Sequence, residues 1–117
     1  MNEDRLKDYL DHMAAAADDA CSFVDGMSKK VFFEDKRTQQ AVIMSLVIIG
    51  EAAAKVMDQY EEFAAAQPAI PWRGMRGMRN RIAHGYFDVD LGVVWDTVQT
   101  ALPDLSNRLR RLRNRPD

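Results

Sequence analysis

Within Arg79-Asn80-Arg81-Ile82-Ala83-His84-Gly85-Tyr86 the chain gathers two guanidiniums, a carboxamide, an imidazole and a phenol. A guanidinium holds a phosphate through a planar, permanently charged fork. An imidazole exchanges a proton near neutral pH. Arg79 and His84 together are therefore a minimal kit for cleaving a phosphodiester. The plainer reading of the same residues is a helix that ends in a polar turn.

The surrounding charge fits the first reading. Residues 1–68 carry 13 acids and 7 bases, whereas residues 69–117 carry 5 acids and 9 bases, all arginine. Arg73, Arg76, Arg79 and Arg81 fall in one run, with no acid between Glu62 and Asp88. A local basic patch on a chain of net charge −2 points to a specific phosphate site and away from general coating of nucleic acid. Pairing of these arginines with acids of the first half, or of a partner, is the competing account.

Other chemistries find less support. Two histidines and one cysteine, scattered along the chain, have no zinc-ligand spacing. No glycine-rich phosphate loop follows a strand, so neither a metal nor a cofactor is expected. Cys21 excludes an internal disulfide and sits among apolar positions, as a small core residue would. His12, flanked by Asp11, reads as an ordinary surface histidine. Glu51 is an acid inside the most apolar segment, where it needs a partner. An arginine of the 73–81 run is the obvious one, and direct catalysis the alternative. Without a leader or an uninterrupted apolar run of spanning length, a soluble, reducing, cytoplasmic setting is the expectation.

The elements that must position this cluster read as helices. Leu6, Leu10, Met13, Ala17, Cys21 and Val24 recur at helical spacing and predict a helix over 2–25, stopped by Gly26. A short helix is expected over 28–34. Asp35 can cap a long helix reaching about Ala66, with Val42, Leu46, Ile49, Ala53, Val56, Tyr60 and Phe63 on one stripe. Around Val42–Ile49 it is apolar on more than one side, which fits a central helix or one covered by a second chain. Pro71 suits the first turn of a helix over 72–84, with Gly85 as its stop. Asp90 can cap a last helix, which Pro103 should kink. No alternating strand pattern or internal repeat interrupts this. The expectation is one domain over 1–117, an all-α, up-and-down bundle of four to five helices.

On an ideal helix over 72–84, Arg73, Arg76, Asn80 and His84 share one stripe, while Met75, Met78 and Ile82 face the bundle. Arg79 and His84 are five residues apart, about 140° around the axis. They reach one substrate if the helix loosens near Gly85, if Arg79 curls round its end, or if a second chain supplies the complement. Internal cleavage of RNA needs a base for the 2′-hydroxyl and an acid for the leaving oxygen, and a two-fold dimer would bring two His84 rings together.

From about Tyr9 to Leu105 the chain resembles the HepT-like family of the HEPN superfamily, the toxin halves of toxin–antitoxin pairs. The matching phrases are Gly26-Met27-Ser28, Ile49-Gly50-Glu51-Ala52-Ala53, Ile70-Pro71-Trp72-Arg73 and, most specific, Gly77 through Asp90 with its Arg-x4-His-x-Tyr signature. The resemblance implies a helical homodimer with both signatures lining a shared cleft. It implies metal-independent cleavage of an RNA substrate in which Arg79 and His84 act on the scissile phosphate and Asn80 assists. Arg73, Arg76 and Arg81 would be further phosphate contacts. It also implies a minimal nucleotidyltransferase antitoxin of the MntA type, which attaches AMP to the tyrosine matching Tyr86. The alternative is a non-catalytic nucleotide- or RNA-binding module that regulates a partner nucleotidyltransferase.

Overall fold

The computed structural model describes residues 3–114, with side chains from Arg5 onward. Arg115, the last of the arginine-rich tail, lies outside them. Helix α1 (Glu3–Phe23) buries Leu10, Met13, Ala17 and Ala20 on one stripe. Its exit turn depends on Gly26, whose φ of 74° is costly for any residue with a Cβ. Helix α2 (Lys29–Glu34) starts at Ser28, which accepts a hydrogen bond from the Val31 N–H. Its Phe32 is fully buried, 5.3 Å between ring centres from Trp95. Asp35 then caps α3 (Lys36–Gln59), one carboxylate oxygen accepting from the Thr38 N–H at 3.1 Å and the other from its hydroxyl at 2.8 Å.

Helix α3 is the centre of the bundle. It packs on α1 along one side and on α5 (Trp72–His84) along another, while α7 (Leu102–Arg113) packs on α1 and brings Leu102 and Leu105 beside Leu46 and Ile49 of α3. Its mean hydropathy of 1.6 and its length are enough to cross a membrane, but 56 % of that window is buried inside the bundle. That average does not need an uninterrupted apolar run, because the valines, isoleucines and leucine of 42–49 carry it across Ser45 and Glu51.

Three details depart from the sequence expectation. The long helix does not run to Ala66: the backbone turns out of helical geometry at Tyr60 (φ −136°, ψ 55°) and resumes as α4 (Glu61–Ala66). The turn buries Tyr60 and brings α4 under Trp72, whose indole N–H donates to the carbonyls of Ala64 and Gln67 at 3.1 and 3.2 Å. Those tertiary contacts outweigh the helical propensity of the alanine run. Pro103 is absorbed and not simply kinked around: after α6 (Leu91–Asp96) the helix widens into a π turn over Thr97–Ala101, and Pro103 falls in the first turn of α7. There the π turn sets the Leu102 N–H on the Thr97 carbonyl just ahead of the proline, which has no N–H to donate. Finally, Gly85 ends α5 as expected but does so with φ −138°, outside the left-handed region that glycine stops favour, and a single 3₁₀ turn over Tyr86–Asp88 follows. The described residues form an all-α bundle with no strand.

Candidate active site

The site is built on the crossing of α3 and α5. At Gly50 the two helices come so close that a Cβ would overlap that of Arg79 and stand 2.7 Å from the Met75 carbonyl oxygen. This approach lays the stem of Arg79 along α3 and points its guanidinium at the next residue, Glu51. The Arg79 Nη1 donates to a Glu51 carboxylate oxygen at 2.5 Å, and its Nε donates to the Asn80 carboxamide oxygen at 2.8 Å. Arg79 is thus clamped on two sides, with 22 % of its side chain exposed against 54 % for Glu51. Of the two roles open to Glu51, the geometry gives it the partnership with an arginine of the 73–81 run.

Asn80 and His84 are exposed on the outer face of α5, as is Arg73, while Arg76 is half-buried. The apolar side is as the spacing predicted, with Ile82 buried and Met75 and Met78 packed against the core. Arg79, Asn80 and Glu51 are therefore brought together. His84 is not joined to them by any hydrogen bond among the described residues. Helix α5 stays regular to His84, so the end of the helix does not loosen to close the 140° between Arg79 and His84. Tyr86, 49 % exposed, opens the 3₁₀ turn two residues beyond His84, with its ring edge-on to Phe87 at 6.0 Å.

The fate of the arginines divides. Arg79 pairs with Glu51, Arg108 with Asp104 and Arg113 with Asp11, which ties α7 back to α1. Ser106 adds to that seam by donating to Asp18. Among the described residues Arg73, Arg76 and Arg81 have no carboxylate within ion-pair distance. Pairing thus accounts for Arg79, Arg108 and Arg113, and leaves a cationic stripe on α5. Two features went unremarked in the sequence. One is the direct contact between neighbours Arg79 and Asn80. The other is Phe87, which is 97 % exposed, and whose signal was an aromatic residue placed after the helix stop, with no helical partner.

The family description Ribonuclease HepT-like matches residues 13–112. The chain belongs to the HepT-like ribonuclease family. It is 39 % identical over 111 residues to a Thermococcus cleftensis protein named "Probable ribonuclease HepT", covering 92 % of this chain and 94 % of that one. It is 37 % identical over 99 residues to a Methanocaldococcus jannaschii protein provisionally named an RNase, covering 85 % and 76 %. A third relative with the same provisional name, from Caldanaerobacter subterraneus, is 31 % identical over 104 residues, covering 89 % and 90 %. No solved structure matches the chain. Within a HepT-like chain the clamp on Arg79 is a specific arrangement: a fixed cation at the edge of α3, with a carboxamide beside it and an imidazole free at the helix end.

Proposed function

We propose that this chain is a metal-independent endoribonuclease, the toxin half of a cytoplasmic toxin–antitoxin pair, working as a homodimer. The observation that carries the reading is the clamped Arg79, a pre-oriented guanidinium bonded to Asn80 on the helix whose end exposes His84. In the reaction, His84 takes the proton of the 2′-hydroxyl as that oxygen attacks phosphorus. Arg79 neutralises the charge that builds on the phosphorane oxygens, and Asn80 orients the phosphate. The P–O5′ bond breaks, and the leaving 5′-oxygen takes a proton, leaving a 2′,3′-cyclic phosphate. An acid for that oxygen is available as His84 of a second copy.

The surface supports such a pairing. Met44 and Ile48, 58 % and 40 % exposed, share a stripe of α3 with Glu51. The apolar patch thus runs straight into the edge of the Arg79 clamp. A copy docked on it would bring its own α5 toward the first. For control of the activity we propose AMP transfer to Tyr86 by a minimal nucleotidyltransferase antitoxin. The phenol is exposed two residues from His84, and the added phosphate would occupy the ground meant for RNA.

A second reading, the non-catalytic RNA-binding module, is favoured by one observation: Glu51 already neutralises Arg79. The test separates the two. RNA incubated with the protein in chelator should be cleaved by wild type and spared by His84→Ala and Arg79→Ala. Retarded migration of RNA without cleavage on any RNA tried would establish the binding module.

A further inference from the structure

Two turns N-terminal to Asn80, α5 forms one wall of a groove of about 740 Å³, within the roughly 300–1,000 Å³ of ordinary ligand sites. Arg73 and Arg76 line it from α5, Asp58 and Glu61 line it from α3 and α4, and Trp72 and Gly74 contribute to its floor. The charges are opposite, yet among the described residues neither acid closes on either arginine. The salt bridges that do form are elsewhere. A groove that holds unpaired cations on one wall and unpaired carboxylates on the other is matched by a ligand carrying an anion at one end and neutral hydrogen-bond donors at the other.

A nucleotide is such a ligand. Its phosphate accepts from guanidiniums, and the exocyclic amine of cytosine, adenine or guanine donates to a carboxylate, whereas the 4-carbonyl of uracil does not. The groove is also in line with the candidate active site. With a rise of 1.5 Å per residue, Arg76 and Arg73 lie about 6 and 10 Å along the axis from Asn80, the scale of one or two steps of a single strand. The uncapped N-terminal end of α5 opens at the same place: Pro71, which lines the groove, offers no side-chain cap. Its dipole favours the phosphate further.

We propose that this groove is a subsite for a nucleotide flanking the scissile phosphate, with its phosphate on Arg73 and Arg76 and the amine of its base on Asp58 and Glu61. The ribonuclease would then prefer RNA with an amine-bearing base at that position over uridine. The inference rests on the ribonuclease reading, and its test has a readout of its own. Trp72 lines the groove, and Trp95 is the other tryptophan of the chain. In a Trp95→Phe, His84→Ala background the fluorescence of Trp72 reports occupancy without cleavage.

Titration with tetracytidylate and tetrauridylate compares two bases of equal size: cytosine turns an amine to the carboxylates at position 4, where uracil turns a carbonyl and has only its N3–H to donate. Cytidylate should saturate the signal at about tenfold lower concentration. Arg73→Ala with Arg76→Ala should weaken both ligands. Asp58→Asn with Glu61→Gln should erase the difference between them. Asp58, Glu61 and Arg73 are exposed, and the single exchange Glu61→Gln, checked by circular dichroism, gives the same comparison if a double variant is poorly folded. Equal binding of the two ligands, or a preference that survives loss of both carboxylates, overturns the subsite. A cytidylate preference that obeys these rules, in a protein whose wild type shows no His84-dependent cleavage, upholds the nucleotide site and overturns the ribonuclease reading instead.

Discussion

Gly50 and Gly77 both lie in helix interiors, and exchanging each for alanine should move stability in opposite directions. Alanine gains about 1 kcal/mol over glycine in a helix from backbone entropy alone. At Gly77 nothing opposes that gain. A Cβ would meet only the tip of the Arg81 side chain at 3.5 Å, an ordinary contact with a group free to move, so Gly77→Ala should stabilise by about 0.5–1 kcal/mol. At Gly50 the new methyl overlaps the Cβ of Arg79 and stands 2.7 Å from the backbone oxygen of Met75. Neither atom can swing aside, because both are fixed to the α5 backbone, so α5 must lift off α3. Overpacking of this kind costs about 3 kcal/mol or more when backbone must shift. After the propensity gain the net loss is about 2 kcal/mol, or a fall in Tm of about 8 °C for a chain of this size. Urea unfolding followed by circular dichroism measures both variants. Equal shifts, or a Gly50→Ala variant as stable as wild type, would refute the close crossing. The crossing also sets the position of Arg79, so RNA cleavage should fall in Gly50→Ala at temperatures where the variant is still folded.

Other expectations follow from single contacts. Glu51→Gln keeps an acceptor for Arg79 but removes the charge that neutralises it. The log–log salt slope of RNA binding should steepen by about 0.7 in a filter assay, while stability changes by less than about 1 kcal/mol because the pair is partly exposed. Glu51→Ala should keep that binding gain yet cleave about tenfold more slowly, since Arg79 loses its orientation, and unchanged kcat would count against a positioning role. The Thr38 hydroxyl and N–H bonded to Asp35 hold its carboxyl below the ordinary range. A lowered folded-state pKa means stabilisation that is present above the unfolded-state value and lost as pH falls through the folded one. Asp35→Ala should therefore melt below wild type at neutral pH, with the gap closing in acid, and a gap constant across the acid range would dismiss the cap as its source. Tyr86→Phe should leave the unfolding midpoint unchanged and gain no AMP mass when incubated with the antitoxin and ATP; a persistent mass gain places the acceptor elsewhere.

The helices were legible because their determinants are local. Three- and four-residue apolar spacing, Asp35 and Asp90 as caps, and Gly26 as a stop each act within one or two turns, and the structure follows them. What escaped was set by contacts between segments far apart in sequence. The break at Tyr60 has no local breaker. It exists because Trp72, eight residues beyond Ala64, takes two carbonyls that a continued helix would have turned elsewhere. The π turn ahead of Pro103 is likewise one of several ways to house a proline, and packing of Val98 and Leu102 into the core selects it.

The site shows the same division. The chemistry of Arg79, Asn80 and His84 follows from residue type, and Glu51 inside the apolar segment already called for an arginine of the 73–81 run. Which arginine would arrive there could not be read along one helix, since Arg73, Arg76, Arg79 and Arg81 carry the same group. Register decides it: Gly50 can abut only one turn of α5, and the residue on that turn is Arg79. The same contact that clamps Arg79 fixes its separation from His84 on a helix that stays regular. Each α5 thus presents a held cation on one flank and a free imidazole on the other. If a single chain cleaves RNA, it must do so by a substrate that wraps the end of α5. If two chains are needed, activity should rise with the square of protein concentration below the dimer dissociation constant. Mixing inactive Arg79→Ala with inactive His84→Ala should then restore cleavage, provided each cleft draws its two groups from different copies. No recovery in mixtures shown by sedimentation to contain heterodimers would put both groups of each cleft on one chain.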